Sequence, residues 1–207
     1  YIKEDESSVI GSGTDTPTTY STISLEQTYS SAPTVVAQVM SYEDSLWVTD
    51  HPGGISTTDF DLALEMGQFC DGVGNCPNSE GHDPEDVGYF VIDRTEGNIS
   101  GIEFDSGITA DNILGRDDST GCFYNPYDLT FEQKPIVLAD LDRRDGADGG
   151  WTGACNLNTT HIGLHVNEED ESDSESGHTT ESATYISFEN TGEANLIKQI
   201  TSPSFDL

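Results

Sequence analysis

Apolar and polar residues alternate along several short segments of the chain. In residues 59–64 the apolar side chains occupy every second position, and residues 161–166 repeat this alternation. Because successive side chains of a β-strand point to opposite faces, a period of two predicts strands with one buried face. Asp61 and Gly163 are expected on the exposed faces of these strands. The helical candidate at 61–69 is interpreted as a strand, because it matches the alternating segment at 161–166.

These patterns occur twice in the same order. Residues 33–39 match residues 135–141, and the same offset brings residues 56–60 onto residues 158–162 without a gap. A chance match would rarely keep its register over such a distance, so we interpret the chain as an internal duplication. The first pair of segments is apolar on both faces, which is typical of central strands packed beneath another sheet.

Two further pairs of segments extend the duplication. Residues 23–27 resemble residues 129–133, and residues 82–93 resemble residues 178–189. Both members of the second pair follow the pattern His-x-x-Glu-x-x-x-Tyr-x-x-x-acid. Turn-forming stretches separate the predicted strands. The predicted fold is therefore all-β, with two tandem, internally duplicated antiparallel β-sandwich domains of the jelly-roll or immunoglobulin-like kind.

The extent of the two copies predicts four segments. Residues 1–22 form a flexible arm or an added edge strand, and residues 23–108 form the first β-sandwich repeat. Residues 109–128 form a connector, and residues 129–207 form the second repeat.

Acidic residues dominate the composition. Of the 207 residues, 39 are Asp or Glu and only 7 are Lys or Arg, which gives a formal net charge of -32. This balance excludes most nucleic-acid binding, because phosphate contacts need clustered basic residues. No apolar run of about 18 residues occurs, so we expect no membrane insertion. The excess charge repels itself, and we expect salt or bound divalent cations to stabilise the fold.

The four cysteines predict an oxidising compartment. Cys70 and Cys76 bracket a short loop with two glycines whose ends can meet, which predicts one disulfide and leaves Cys122 with Cys155 for the second. Four cysteines allow three pairings, and the absence of a Cys-x-x-Cys motif argues against zinc-ribbon and thioredoxin-like sites. Two disulfides indicate a secreted protein or one on the extracellular surface.

The acidic loop at residues 140–148 is the best candidate for a metal site. Asp140, Asp142, Asp145 and Asp148 are separated by one or two residues, with glycines nearby. This pattern lets carboxylate oxygens converge on a cation, and calcium is the cofactor that it suggests. The loop lacks the full EF-hand pattern. The alternative is solvated charge with diffuse ion binding.

His82 and Glu85, with His178 and Glu181 in the second copy, form a repeated pair. One hypothesis is a metal or proton-transfer pair. The other is a structural pair whose side chains bond backbone groups where a loop enters the tyrosine-containing strand. We favour the structural role, because the pair recurs at the same place in both copies and residues three apart in a strand face opposite sides.

Other motifs carry less information. Asn98 and Asn158 begin Asn-x-Ser/Thr sequences and are candidate glycosylation positions, although about two such sequences are expected by chance in this composition. The chain contains no Gly-x-Ser-x-Gly, His-Glu-x-x-His or Gly-x-x-x-x-Gly-Lys motif. We therefore expect that it is not an enzyme.

The His-x-x-Glu-x-x-x-Tyr strand follows a Pro-x-Val-x-Ala strand and a Thr-Thr-x-(Phe/Ile)-x-Leu strand in each copy. Together they resemble tandem β-sandwich units of large secreted or surface proteins of algae and marine bacteria, including filament and lectin-like proteins. The resemblance covers residues 23–93 and 129–189 and implies an extracellular, repeated and non-catalytic protein.

We therefore expect a structural or adhesive module that assembles with itself or with other extracellular proteins into a surface layer or filament. The alternative is a calcium-dependent glycan-binding, lectin-like protein. Aromatic residues such as Tyr124 and Trp151 offer rings that stack on sugars.

Overall fold

The computed structural model describes residues 2–9, 20–43, 48–66, 85–92, 96–99, 101–118, 121–143, 145–146, 149–168 and 176–191. They form the strands β1 (Ile2–Val9), β2 (Ser21–Ser24), β3 (Thr34–Val39), β4 (Val48–Gly53), β5 (Asp59–Met66), β6 (Glu85–Ile92), β7 (Gly97–Ile99), β8 (Ile102–Ile108), β9 (Phe123–Pro126), β10 (Ile136–Leu141), β11 (Gly150–Leu157), β12 (His161–Glu168) and β13 (Ala183–Phe188). No helix occurs in these residues, which confirms the all-β prediction. Accordingly, no described segment is a helix capable of crossing a membrane.

The strands pair into four antiparallel sheets. In the N-terminal half, which we define as β1–β6, β5 lies between β2 and β4, and β6 lies between β1 and β3. In the C-terminal half, defined as β8–β13, β12 lies between β9 and β11, and β13 lies between β10 and β8. The additional strand β7 pairs with β8. Both halves therefore connect their strands in the same order.

The predicted segments relate to these strands as follows. β1 lies within residues 1–22 and pairs with β6 as an edge strand. β8 precedes the predicted connector at 109–128 and pairs with β13, whereas β9 lies inside the connector and pairs with β12.

The strand registers agree between the halves. Ile23 pairs with Phe60, and the residues 102 positions further on, Asn125 and Ile162, also pair with each other. The predicted match between residues 23–27 and residues 129–133 is therefore wrong in register. Residues 129–133 lie in the loop after β9. The strand that corresponds to β2 is β9 itself, because β9 pairs with β12 as β2 pairs with β5.

Each half has a hydrophobic core between its two sheets. The N-terminal core contains Ile23, Tyr29, Val35, Phe60, Leu62, Leu64, Val87, Tyr89 and Val91. The C-terminal core contains Ile113, Tyr127, Phe131, Leu141, Ile162, Leu164, Val166, Ala183 and Tyr185. The alternating apolar residues of β5 and β12 lie in these cores, as their period of two predicts.

A third cluster of apolar side chains joins the halves. It consists of Val36, Ile92, Ile102, Phe104, Ile186 and Phe188, with the half-buried Phe90 packed against it. Its members come from β3 and β6 on one side and from β8 and β13 on the other. β6 and β13 therefore contribute side chains to a core on each of their faces.

The predicted central position is wrong for both apolar segments, because β3 and β10 each lie at the edge of their sheet among the described strands. β3 is covered, since Val35 and Val36 are buried, but β10 is not. β10 is an edge strand of its sheet, and Ile136 and Leu138 are 43% and 45% exposed. The central place in that sheet belongs to β13, which pairs with β10 on one side and β8 on the other.

Gly163 is buried, contrary to the expectation that it lies on an exposed face. A Cβ atom at this position would lie 2.4 Å from the Asn156 carbonyl oxygen and 2.9 Å from Cys122 Sγ. The face of β12 that carries Gly163 is therefore crowded by the backbone of β11 and by the Cys122 side chain. Asp61, at the corresponding position of β5, is half-buried.

Candidate functional site

A cleft of about 230 Å³ lies where β3, β4, β10 and β11 meet, and we call it the seam cleft. Polar side chains from both halves line it: Gln38 and Asp50 from the N-terminal half, and Asp140 and Thr152 from the C-terminal half. The last two lie 102 positions after the first two, so corresponding positions of the two halves face the same space. Trp151 completes this part of the lining.

Side chains close the outer edge of β3 at this cleft. The N–H of Ala37 donates to Asp140 Oδ2 at 2.6 Å, and the N–H of Val39 donates to Asp50 Oδ1 at 3.2 Å. Across the cleft, Thr152 Oγ1 donates to a β10 carbonyl oxygen at 2.6 Å. The two carboxylates thus satisfy outward N–H groups that an open strand edge would offer to another chain.

The two aspartates are held in an environment that disfavours negative charge. Asp50 is only 7% exposed, and its Oδ2 atom has no hydrogen-bond partner in the described part of the chain. Burial raises the pKa of Asp50, although the neighbouring His51 lowers it. Burial and the charge of Asp50 raise the pKa of Asp140 well above its usual range. Such a pair takes up a proton or a cation more readily than solvated carboxylates do.

A second cavity, of about 410 Å³, adjoins the seam cleft, because Gln38, Ala139 and Asp140 line both. The rest of its lining is mainly apolar and includes Met40 and Leu138, which are 60% and 45% exposed. We call this cavity the β10 groove. It lies beside the third hydrophobic cluster and leaves part of β10 uncovered.

His178 lies between two carboxylates. Its Nδ1 atom is 2.5 Å from Glu168 Oε1, its Nε2 atom is 3.0 Å from Glu181 Oε1, and all three side chains are buried. Burial alone lowers the pKa of His178, but the hydrogen bonds and charges of Glu181 and Glu168 outweigh it and raise the pKa. The positively charged imidazolium is therefore favoured between the two glutamates.

Glu181 also binds the loop after β10. Its Oε1 atom accepts the N–H groups of Asp145 and Gly146, both at 2.9 Å. A Cβ atom on Gly146 would lie 2.3 Å from Cε1 of His178, so the loop approaches the imidazole more closely than a residue with a side chain allows. This network fixes the loop against the start of β13.

Glu85 makes corresponding contacts in the N-terminal half. It is buried, its Oε1 atom accepts the N–H of Glu43 at 3.0 Å, and its Oε2 atom accepts the hydroxyl of Ser41 at 2.5 Å. Glu43 lies 102 positions before Asp145. Each glutamate thus binds the backbone of the loop that follows the outer strand β3 or β10.

The aspartates of the predicted calcium loop have different surroundings. Asp140 lies in β10 and faces the seam cleft, whereas Asp142 and Asp145 follow the strand. Burial and the charge of Glu181 raise the pKa of Asp145. Asp148 lies outside the described residues. Within the described residues, no group of three or more His, Cys, Asp or Glu side chains is arranged to hold a metal ion.

The disulfide between Cys122 and Cys155 is confirmed, with 5.7 Å between the two Cα atoms. It ties the residue before β9 to β11 across β12. The predicted bond between Cys70 and Cys76 lies outside the described residues, as does His82.

The two candidate glycosylation positions differ in their surroundings. Asn98 is exposed on β7, and its Oδ1 atom accepts the N–H of Gly101 at 2.7 Å. Asn158 Oδ1 accepts the N–H of His161 at 3.0 Å, and its Nδ2 atom is 2.8 Å from the His161 ring. Ser56 uses its hydroxyl in the same way before β5. The Asn-Thr-Thr sequence at 158 thus forms a turn.

Arg143 makes a further contact between the halves. Its N–H donates to the Pro52 carbonyl oxygen at 3.0 Å, and its guanidinium lies 3.1 Å from Asp61 Oδ2. Its φ angle of 67° is unusual for a residue other than glycine. The guanidinium also lies 5.5 Å from the Tyr20 ring centroid.

Asp50 is the carboxylate of the seam cleft that the sequence analysis did not identify, and Gln38 and Thr152 were not identified either. Asp50 lies in β4, next to a His-Pro-Gly-Gly stretch that reads as a turn. The signal that was available is its position 102 residues before Thr152, because the same spacing relates β4 to β11, which hold corresponding places in their sheets.

Comparisons with known proteins found no related protein. No family model matches the chain. Neither the curated proteins nor the solved structures give a match.

Proposed function

We propose that the chain is an extracellular, non-enzymatic structural or adhesive module, built from two tandem copies of one β-sandwich unit. It assembles with copies of itself or with other extracellular proteins into a surface layer or filament, and cations stabilise it. The observation that carries the proposal is the uncovered apolar surface of β10 beside a duplicated strand arrangement.

The duplication is supported by the common strand order and register of the two halves. The central strands β5 and β12 have the same neighbours, and so do β6 and β13. Ala37 pairs with Tyr89 as Ala139 pairs with Tyr185. Each half also buries its own hydrophobic core, which supports the interpretation of the halves as two copies of one unit.

The extracellular location is supported by the Cys122–Cys155 disulfide, because such bonds persist in oxidising compartments. The net charge of -32 favours cation stabilisation, since screening or bound ions reduce the repulsion within the folded state.

Assembly is supported by the apolar side chains around β10. Ile136 and Leu138 lie two apart on one face of this edge strand, and Met40 lines the same groove as Leu138. Exposed apolar patches beside an edge strand are typical interaction surfaces. A second copy of the chain, or another surface protein, would cover them.

Sedimentation velocity over a range of concentrations in calcium, followed by electron microscopy, tests this proposal. The wild-type chain should form concentration-dependent oligomers, and Leu138→Lys should remain monomeric because it places a charge in the interface. Ile99→Lys is the matched control, since Ile99 is also 45% exposed but lies on β7. A wild-type chain that stays monomeric at every concentration, or equal effects of the two substitutions, would contradict assembly through β10.

Calcium-dependent glycan binding is the second candidate, and one exposed aromatic residue favours it. Tyr124 on β9 is 52% exposed, and its ring lies edge-on to His161 with 4.8 Å between the centroids. A fixed, exposed ring is a suitable surface for stacking on a sugar. Saturable binding on a glycan array, abolished by chelator and by Tyr124→Ala, would support this candidate in place of assembly.

A further inference from the structure

We propose that the seam cleft binds one divalent cation of the calcium class between Asp50 and Asp140, and that this ion joins the two halves of the chain. The inference rests on the proposed cation-stabilised module and names the site of the cation. It differs from the predicted site at 140–148, because it combines Asp140 with a residue of the other half.

The first observation is an oxygen atom without a partner. Asp50 is 7% exposed, its Oδ1 atom accepts the N–H of Val39, and its Oδ2 atom has no hydrogen-bond partner in the described residues. A buried carboxylate oxygen left in this way costs free energy unless an ion, a proton or a water satisfies it. The residue lines a polar cleft with space for a ligand.

The second observation is the set of oxygen atoms around this space. Asp140 uses Oδ2 for the N–H of Ala37, which leaves its other oxygen for a ligand. The Gln38 Nε2 group donates a hydrogen bond to a backbone carbonyl oxygen. Its side-chain carbonyl oxygen remains as a further metal ligand. Thr152 lines the same cleft, and its hydroxyl, which donates to the Ala139 carbonyl oxygen, keeps lone pairs that can bind a cation. Carboxylate, amide and hydroxyl oxygens are the ligands of hard cations.

The charge balance favours a cation over an anion or a neutral ligand. Two carboxylates line the cleft, and no basic side chain is among the described residues that line it. The nearest group in sequence that can carry positive charge is His51, which lowers the pKa of Asp50 and whose Nε2 atom lies 2.9 Å from Glu65 Oε2. Together, the two aspartates place more negative charge in the cleft than their protein neighbours compensate.

Calcium suits this cleft better than magnesium. Calcium accepts six to eight oxygen ligands in flexible geometry, whereas magnesium demands a near-ideal octahedron. The cleft, at about 230 Å³, has room for an ion with several coordinated waters. Two carboxylates correspond to the weak class of extracellular sites, with a Kd on the order of 10⁻⁴ to 10⁻³ M.

Terbium luminescence provides a direct binding measurement on the full chain. Terbium replaces calcium at oxygen sites, and Trp151 lines the cleft as a sensitiser of its emission. We expect sensitised emission that calcium displaces, and that is lost in Asp50→Asn, in Asp140→Asn and in Trp151→Phe. Asparagine retains the oxygen that accepts the β3 N–H group, so these variants should fold.

Asp142→Asn is the matched control, because Asp142 belongs to the same acidic loop but does not line the cleft. This variant should keep the emission. Thermal unfolding is the second readout: calcium should raise Tm more than sodium chloride at the same ionic strength, except in the two cleft variants. Trp151→Phe should keep this calcium-dependent rise in Tm, because it removes only the sensitiser.

Two results would overturn the site. One is emission and calcium stabilisation that survive Asp50→Asn, and the other is a loss of both in Asp142→Asn, which would place the ion in the loop. A failure of the proposed assembly can be distinguished from a failure of the calcium site, because these measurements use the monomer. The Leu138→Lys variant should bind calcium normally. A chain that binds calcium at the cleft but never oligomerises would refute the proposed function alone.

Discussion

The strands β3 and β10 hold the same place in the two halves, yet their surroundings differ. Val36 on β3 is buried in the cluster that joins the halves, whereas Leu138, 102 positions later on β10, is 45% exposed. The sheets of the two halves are therefore not related by an exact symmetry. The side chains of β3 pack over β8 and β13, and β10 extends beyond this overlap.

The difference teaches that one strand sequence pattern serves two purposes. Both strands carry apolar residues on two faces. In β3 the second face packs into the cluster that joins the halves, and in β10 it lines the exposed β10 groove, which we propose a partner covers. Asp140 of β10 accepts the outward N–H of Ala37 on β3, so the halves meet through a side chain at this seam, whereas Asp50 caps Val39 within the N-terminal half.

Lysine substitutions at the two corresponding positions provide the strongest test of this difference. Val36→Lys should destabilise the chain by more than about 3 kcal/mol, because it leaves an uncompensated charge in a buried cluster. Leu138→Lys should change the free energy of unfolding by no more than about 0.5 kcal/mol, as surface substitutions usually do. Urea denaturation of the two variants measures both values, and equal losses would show that the two strands are covered alike.

The glutamates at the starts of β6 and β13 test whether the halves share one loop anchor. Glu85→Leu and Glu181→Leu should each cost about 1 to 3 kcal/mol, because each leaves loop N–H groups without an acceptor. The conservative variants Glu85→Gln and Glu181→Gln retain one acceptor oxygen and should cost less. If only one of the two leucine variants loses stability in urea denaturation, the glutamate of the other half does not anchor its loop.

A smaller effect is expected from pH. The pKa of His178 is raised in the folded state, so its contribution to stability is present below about 6.5, the usual histidine value, and is lost as pH rises through the folded pKa. Unfolding free energies of the wild type, measured without calcium, should fall over this range. His178→Gln should flatten this fall in unfolding free energy with pH. If the fall is unchanged in the variant, other titrating groups cause it.

The sequence predicted the positions of the strands better than it predicted which strands and sheets pack against each of them. The period of two located β5 and β12, and the repeated motif aligned Glu85 with Glu181, because alternation and register are local properties. The exposure of β10 and the burial of Gly163 depend on which sheet covers which, and no local pattern records that. The short match at 129–133 was wrong in register for a similar reason, since a few similar residues do not reveal which strand they pair with.

The candidate site was predicted only in part. Asp140 was predicted as a cation ligand of the acidic loop; in the structure it accepts the N–H of Ala37 and lines the cleft together with Asp50. Asp50 comes from a strand of the other half, and contacts over such a distance arise from the packing of the halves. The remaining sequence signal is the spacing of 102 residues that relates Asp50 to Thr152.

Hydrogen exchange at two amides tests the central claim that carboxylates cap the outer edge of β3 at the seam cleft, one from each half of the chain. In the wild type the N–H groups of Ala37 and Val39 should be protected, although both point away from the neighbouring strand β6. Asp140→Ala should speed exchange selectively at Ala37, and Asp50→Ala should do so at Val39. Fast exchange at both amides in the wild type, or protection that survives both substitutions, would contradict the claim.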